Sequence, residues 1–215
     1  SPDLADRRRR AGGRIRTARP LKIAIIRQRY NPFGGAERFV ERALAGLERS
    51  DLDVTLITRR WDGPAGSYRR LICDPFYLGS TWRDAGFARA ACEAVRDSGF
   101  DLVQSHEKVA CCDIYRAGDG LHRAWLARRA RMLGTAGRAG LRLNAFHVYT
   151  LGAEEALFRS PRLRAVICIS QMVKREIQEA FGLDDTRLPV IYNGIDPQVY
   201  NPGVRVERQR IRQEL

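Results

Sequence analysis

The sequence has very few lysines for so basic a protein. Its net charge is +13, yet only 3 of its 38 basic residues are lysines and the other 35 are arginines. Such a bias can reflect genome composition as well as selection for a binding surface. No helix-turn-helix, RNP or zinc-finger pattern accompanies the charge. Nucleic-acid binding therefore rests on charge alone, and acidic lipids or phosphorylated substrates fit that charge equally well.

Long apolar runs are also absent. None approaches the roughly 18 to 20 residues of a membrane span, and the first 20 residues contain no apolar stretch of the kind that a secretory signal needs. We expect a cytoplasmic protein that begins with a basic, disordered tail over residues 1–20. Since 44% of the 215 residues are apolar, one sizeable α/β domain is expected over residues 21–202. The first helix of a following region is expected over residues 203–215.

Cysteine is present, but not in the spacing of a metal site. The five cysteines are Cys73, Cys92, Cys111, Cys112 and Cys168, and no two of them form a C-x-x-C pair. Adjacent cysteines make a poor zinc site. The pattern therefore predicts reduced, mostly buried thiols. No D-x-D motif is placed to hold a metal either, because the DLD at 51–53 leads into a strand.

Short apolar runs alternate with amphipathic segments along the chain. LKIAII at 21–26 predicts a strand buried on both faces, and DVTLIT, RRLICD, DLVQSH, IYRAG, AVICIS and RLPVIY predict further strands. Helices are predicted after the first strand, before DLVQSH, over AWLARRARM and LNAFHVYTLGAEEALF, after AVICIS and at the end of the chain. Ser170 and Gly182 are expected to cap the helix after AVICIS, and Glu154 and Glu155 are interpreted as solvent-facing charges. This order predicts a wound parallel sheet.

Two adjacent glycines, Gly34 and Gly35, follow the first strand and open the first predicted helix. A glycine pair lets the backbone approach a ligand closely, and the helix terminus adds a positive end. Together they predict a site for a phosphate or a sugar carboxylate, with an ordinary tight turn as the alternative. The motif is not G-x-G-x-x-G, and no acidic residue ends DVTLIT, which argues against a nicotinamide dinucleotide domain.

Polar residues follow the DLVQ strand, at the sheet edge where α/β proteins bind ligands. His106 can orient or deprotonate an acceptor hydroxyl, and Lys108 can contact a phosphate. Glu107 lies between them and is expected to face the same cleft. For His106, a hydrogen-bonded structural histidine is the alternative.

The segment AWLARRARMLGTAGRAGLR is basic and carries apolar side chains. Its arginines, including Arg128 and Arg129, flank Trp125 and Met132. This mixture is typical of contact with an anionic membrane surface or a phosphorylated lipid. A solvated helix with one stripe facing the core is the alternative.

Three motifs in order resemble the N-terminal half of the retaining GT-B glycosyltransferases of family 4. They are GGAER after the first strand, AVICIS followed by SQMVKREI, and VIYNGIDPQVYNP. NPFGGAERFV and DIYRAGDGLHRAW are most similar to the lipopolysaccharide core glucosyltransferase I group. The resemblance covers residue 21 to about residue 202.

The resemblance implies a Rossmann-like acceptor domain facing a donor-binding domain across a cleft. It implies that Gly34 and Gly35 lie near the donor pyrophosphate, with Asn193 and Gly194 at the interdomain hinge. It implies that Asp119, between two glycines, lies close to the reacting sugar; a turn aspartate is the alternative. His122 and Arg123 follow and can meet an anionic acceptor.

The implied reaction transfers a hexose with retention from a nucleotide sugar, with UDP as the expected nucleotide, to a glycolipid such as lipopolysaccharide core. No cofactor or metal is implied. Phosphatidylinositol, a polyprenyl-linked glycan or a small metabolite are alternative acceptors. The family's basic pair and E-x7-E carboxylates belong to a C-terminal domain, which we expect to be missing from this chain and without which we expect no transfer. A free-standing module that binds nucleotide or anionic lipid is the alternative function.

Overall fold

The computed structural model describes residues 19–29, 40, 44, 46, 52–63, 66–194, 203, 205 and 208–214. Its strands are β1 (Leu21–Ile26), β2 (Leu52–Thr58), β3 (Arg69–Ile72), β4 (Leu102–Ser105), β5 (Ile114–Ala117) and β6 (Ala165–Cys168). Its fully described helices are α1 (Gly79–Ser98), α2 (His122–Arg131), α3 (Thr135–Leu143), α4 (Ala145–Phe158), α5 (Gln171–Phe181) and α6 (Arg208–Glu214). None of these helices is long and apolar enough to cross a membrane.

All six strands run parallel in one sheet, in the order β3-β2-β1-β4-β5-β6. This is the order of a Rossmann-type, doubly wound sheet. The predicted parallel sheet flanked by helices is confirmed. The strand order reverses between β1 and β4, so a crevice opens between the carboxyl ends of these two strands, where such sheets bind ligands.

The core lies on both faces of the sheet, which explains the continuous apolar runs in the strands. On one face, Phe87 of α1, Leu157 of α4 and Ile177 of α5 are fully buried against the sheet. On the other face, Val40 and Leu44 pack in a second cluster. Both are helical residues within the helix predicted after the first strand.

The caps predicted for α5 are confirmed. The Ser170 side chain accepts a hydrogen bond from the backbone N–H of Val173 at 3.3 Å. Gly182 has a φ of +65°, the left-handed conformation that glycine adopts most easily. These two residues fix where α5 begins and ends.

One predicted strand is almost absent, and one helix was not predicted. The strand expected over RLPVIY is reduced to one isolated bridge, between Val190 and Cys168. Helix α3, which buries no residue, was not predicted, because Gly137 and Gly140 lie within its sequence and glycine is unfavourable inside a helix.

The prediction that all five cysteines are reduced is also wrong. Cys92 of α1 and Cys111, in the segment after β4, form a disulfide with their Cα atoms 5.6 Å apart. The packing of α1 beside that segment brings together two residues that are 19 positions apart in the chain. Cys73, Cys112 and Cys168 are free thiols, and burial raises the pKa of Cys112 to about 12 and that of Cys168 to about 11. Neither buried thiol is a reactive thiolate.

Candidate functional site

The ends of β1 and β4 are joined by hydrogen bonds at the reversal point of the sheet. The backbone N–H of His106 donates to the Ile26 carbonyl at 3.0 Å. The Glu107 carboxylate accepts from the backbone N–H of Gln28 at 3.0 Å and pairs with the Arg27 guanidinium at 3.2 Å. Burial raises the pKa of Glu107, while Arg27 opposes that shift. Glu107 therefore holds the two strand ends together at the predicted cleft.

Helix α1 brings a second carboxylate to this place. Asp84 accepts from the Gln28 side-chain amide at 3.0 Å and from Arg83 at 2.7 Å. Gln28 thus contacts both carboxylates, one through its backbone and one through its side chain. Gln28, just after β1, and Asp84, within α1, belong to no recognisable motif, so neither was predicted as a site residue.

His106 is buried, with 8% of its surface exposed. Its Nε2 lies 3.1 Å from the side-chain amide nitrogen of Gln104. Burial lowers the pKa of His106 to about 3, and the positive charges of Arg116 and Arg27 add to that effect. The imidazole is therefore neutral near pH 7 and can accept or orient a hydrogen bond there, while remaining a weak base.

Arg116 is a buried cation that the sequence analysis missed. It lies in β5 with only 3% of its surface exposed, and it donates a hydrogen bond to the side-chain oxygen of Asn193. Burial lowers its pKa, and nearby Asp119 acts in the opposite direction. The arginine within the apolar strand pattern IYRAG could have indicated a site residue. A charge at a buried position requires partners, and such partners mark a structured polar site.

Asp119 is exposed at the carboxyl end of β5, between two glycines. A Cβ added to Gly118 would lie 3.1 Å from the Arg116 guanidinium. Gly120 has a φ of +70°, and a Cβ there would lie 3.4 Å from the Glu176 carboxylate. The two glycines therefore allow the chain to turn closely past Arg116 and α5, which leaves Asp119 at the cleft edge.

Helix α2 is capped by a buried glutamate. Glu154 of α4 accepts from the backbone N–H groups of His122 at 2.7 Å and Arg123 at 3.2 Å. Its side chain is 0% exposed, so the interpretation of Glu154 as a solvent-facing charge is wrong. Arg123 donates to Glu155 at 2.7 Å and lies over the Phe181 ring at 4.4 Å. Arg123 thereby fastens α2 to α4 and α5, and its predicted acceptor contact stays a prediction.

His122 belongs to an aromatic cluster on α2 and α4. Its Nε2 lies 3.1 Å from Nδ1 of His147, and its ring stacks on Trp125 with centroids 5.6 Å apart. Burial lowers the pKa of His122, and His147 and Lys108 add to that effect. The positive charge of Lys108 thus acts on the His122 imidazole, so these two predicted site residues share one region.

The basic surface of α2 and α3 combines exposed apolar and positive side chains. Trp125, Met132 and Leu143 are exposed. Arg128 pairs with Glu176 of α5, while Arg129 lies 5.8 Å from the Trp125 ring centroid. The predicted membrane-contact residues thus lie together on one pair of helices.

The remaining predicted residues belong to loops on the donor side of the cleft. Gly34 and Gly35 lie outside the described residues. Asn193 and Gly194 are exposed, and the side chain of Asn193 binds Arg116 as described above. Within the described ranges, no group of three or more His, Cys, Asp or Glu residues is arranged to hold a metal ion.

The chain resembles a known protein family and known structures. The family model described as Glycosyltransferase Family 4 matches residues 33–199. The chain is similar to the crystal structure of WaaG, a glycosyltransferase involved in lipopolysaccharide biosynthesis, with a TM-score of 0.73, 18% identity, and coverage of 87% of this chain and 50% of that one. It is also similar to a glycosyltransferase from Rickettsia africae ESF-5, with a TM-score of 0.49, 12% identity, and coverage of 92% and 50%. No match was found among curated proteins.

The structural match defines the fold. The chain spans half of the length of both solved structures. Its six-stranded sheet corresponds to one half of the GT-B fold, as the sequence predicted. The cleft at the carboxyl ends of β1, β4 and β5 is therefore the place to look for substrate contacts.

Proposed function

Because the chain belongs to glycosyltransferase family 4, we propose that it is the acceptor-side half of a retaining hexosyltransferase. The donor is a nucleotide sugar, with UDP-hexoses as the first to test, and the acceptor is a glycolipid such as lipopolysaccharide core. The family match over residues 33–199 carries the reaction class. The fold shared with WaaG supports the choice of acceptor.

In this proposal the acceptor hydroxyl attacks the anomeric carbon on the face that the leaving diphosphate occupies. The oxygen–carbon bond forms as the bond to the diphosphate breaks, and the hydroxyl proton passes to the departing phosphate oxygen. Retention then requires no protein nucleophile. The negative charge that develops on the diphosphate needs positive groups nearby.

Each predicted residue has a role in this scheme. Asp119 binds a sugar hydroxyl at the reacting centre, and neutral His106 orients a hydroxyl. Arg116, through its bond to Asn193, supports the donor side of the cleft. The other donor-side contacts are assigned to Gly34, Gly35, Lys108 and Gly194, and Glu107 is placed on the acceptor side.

The basic surface of α2 and α3 provides the membrane contact in this proposal. Its arginines attract anionic headgroups, and Trp125, Met132 and Leu143 enter the interface. His122, Arg123, Arg128 and Arg129 are all carried by α2, and the last two are exposed. The enzyme would then act peripherally on the cytoplasmic face of the membrane.

The test is sugar transfer by a protein that contains this chain together with a donor-binding half. Asp119→Asn is compared with Asp97→Asn, which makes the same substitution at an exposed position of α1. We expect Asp119→Asn to lower kcat/KM by about 10- to 100-fold, as the loss of a hydrogen bond to a charged group does, and Asp97→Asn to leave it unchanged. Equal activity of both variants would remove Asp119 from the site, and the absence of transfer with every nucleotide-activated hexose, UDP-hexoses included, would contradict the proposed function.

A further inference from the structure

A pocket of about 160 Å³ lies between α1 and α4, beside the reversal point of the sheet. We call it the α1–α4 pocket. Strand ends provide Gln28, Glu107 and Lys108, and the two helices provide Asp84 and Tyr149, with apolar residues such as Phe87, Phe146 and Ala153 completing the wall. Doubly wound sheets bind ligands at this topological position. Apart from Lys108, which is also assigned to the donor side, none of its lining residues contacts the donor in the proposal above.

The polar groups of the pocket are already held in place. Gln28 is fixed by hydrogen bonds to both carboxylates. Glu107 pairs with Arg27, and Asp84 pairs with Arg83. A ligand therefore meets a polar wall that needs little rearrangement, which lowers the cost of binding.

The chemistry of the wall favours hydroxyl groups over a charged ligand. A phosphate in this space would meet the carboxylates of Asp84 and Glu107. Hydroxyl groups can donate to those carboxylates and accept from Lys108 and the Tyr149 hydroxyl. Phe87, Phe146 and Ala153 offer apolar surface to the C–H groups of a ring. A polyhydroxylated ring satisfies both kinds of wall.

The size limits the ligand to a single ring. A protein cavity of about 150 Å³ holds one benzene molecule, and the α1–α4 pocket has about 160 Å³. We infer that the α1–α4 pocket binds one uncharged sugar ring of the acceptor, through Gln28, Asp84, Glu107 and Tyr149. This inference rests on the proposed function and identifies the acceptor-recognition residues within it.

The test fills the pocket from α4. Ala153→Leu places a larger side chain in the pocket, and Ala156→Leu makes the same change at an exposed position of the same helix. In the transfer assay we expect Ala153→Leu to raise the acceptor KM about tenfold, with the donor KM unchanged. Ala156→Leu should change neither value. Tyr149→Phe removes one hydroxyl without changing the shape, and should raise the acceptor KM in the same direction if Ala153→Leu fails to fold.

A direct binding measurement separates this inference from the proposed function. Methyl glycosides of single hexoses and heptoses, and separately inorganic phosphate, are titrated into this chain and followed by NMR. We expect a methyl glycoside to bind the wild type and the Ala156→Leu variant, and Ala153→Leu to abolish that binding, even if no transfer is ever found. Binding of phosphate without any glycoside, or glycoside binding that Ala153→Leu leaves intact, would overturn the inference.

Discussion

At the scale of single residues, the cleft is built from charges that hold one another in position. Glu107 binds the backbone of Gln28 and the guanidinium of Arg27, so the ends of β1 and β4 are joined through one carboxylate. Arg116 is buried and reaches Asn193, which is 77 positions away in the chain. Buried charges are tolerated where partners compensate them, and here the partners come from separate loops. The site therefore depends on the tertiary fold.

The buried His106 predicts how the stability of the protein changes in acid. The unfolded chain takes up a proton on this histidine near its ordinary pKa of about 6.5, whereas the folded protein keeps it neutral down to a pKa of about 3. The unfolded state thus binds more protons between these values, and the stabilisation is lost as the pH falls through this window. The loss from this group is about 1.4 kcal/mol per pH unit.

The measurement is urea unfolding of the wild type and His106→Gln at several pH values between 4 and 7. We expect the free energy of unfolding of the wild type to fall more steeply with acid than that of the variant. His122, whose pKa is also lowered, contributes in the same direction to both proteins and cancels in the comparison. Parallel curves would show that His106 titrates normally in the folded state.

Residue positions that depend on the tertiary fold were the hardest to predict. The position of His106 and Glu107 at the end of a strand was predicted correctly, because the apolar pattern of the DLVQ strand stops just before them. Arg116 was missed, since only the loop that carries Asn193 shows why a cation is buried there. The pairing of Cys92 with Cys111 likewise requires the packing of α1 beside the segment after β4. No local pattern contains that information.

At the scale of elements, α2 is positioned by α4. The Glu154 carboxylate accepts from two of the free N–H groups at the start of α2, and it lies 3.6 Å from the Arg123 guanidinium. Glu154 and Arg123 therefore set where the helix that carries the basic surface begins. A buried carboxylate at a helix N-terminus also interacts favourably with the helix dipole.

Glu154→Gln and Glu155→Gln form a matched pair that tests this role. Glu154→Gln leaves one backbone donor without its charged acceptor in a buried place, and we expect it to lower the free energy of unfolding by about 2 to 3 kcal/mol. Glu155 is 41% exposed, so we expect its substitution to lower the free energy of unfolding much less than that of Glu154. Chemical denaturation of both variants measures the difference. Equal stabilities would mean that the cap contributes nothing beyond a surface ion pair.

Elements with a strong local pattern were predicted well. The run LKIAII forms β1 at its predicted bounds, and the caps of α5 lie at Ser170 and Gly182 because capping needs only neighbouring atoms. Helix α3 was not predicted, because Gly137 and Gly140 weaken the helical signal of its short sequence. The strand expected near Val190 failed because pairing requires a neighbour along its whole length, and β6 offers only one bridge.

At the scale of the whole molecule, the proposed reacting centre, acceptor pocket and membrane contact lie in different parts of the fold. The carboxyl ends of the strands place Asp119, His106 and Arg116 at one edge. The α1–α4 pocket adjoins this edge at the reversal point between β1 and β4. The basic surface lies on α2 and α3, which contact α4. Helix α4 therefore connects the proposed acceptor pocket with the proposed membrane surface.

The most direct measurement of the central claim is the stereochemistry of transfer. A protein that contains this chain and a donor-binding half is given each UDP-hexose with heptosylated lipopolysaccharide core, and the anomeric configuration of the product is read by NMR. The account predicts a new glycosidic bond with the same configuration as the donor. A product of inverted configuration, or no product with any donor, would contradict it.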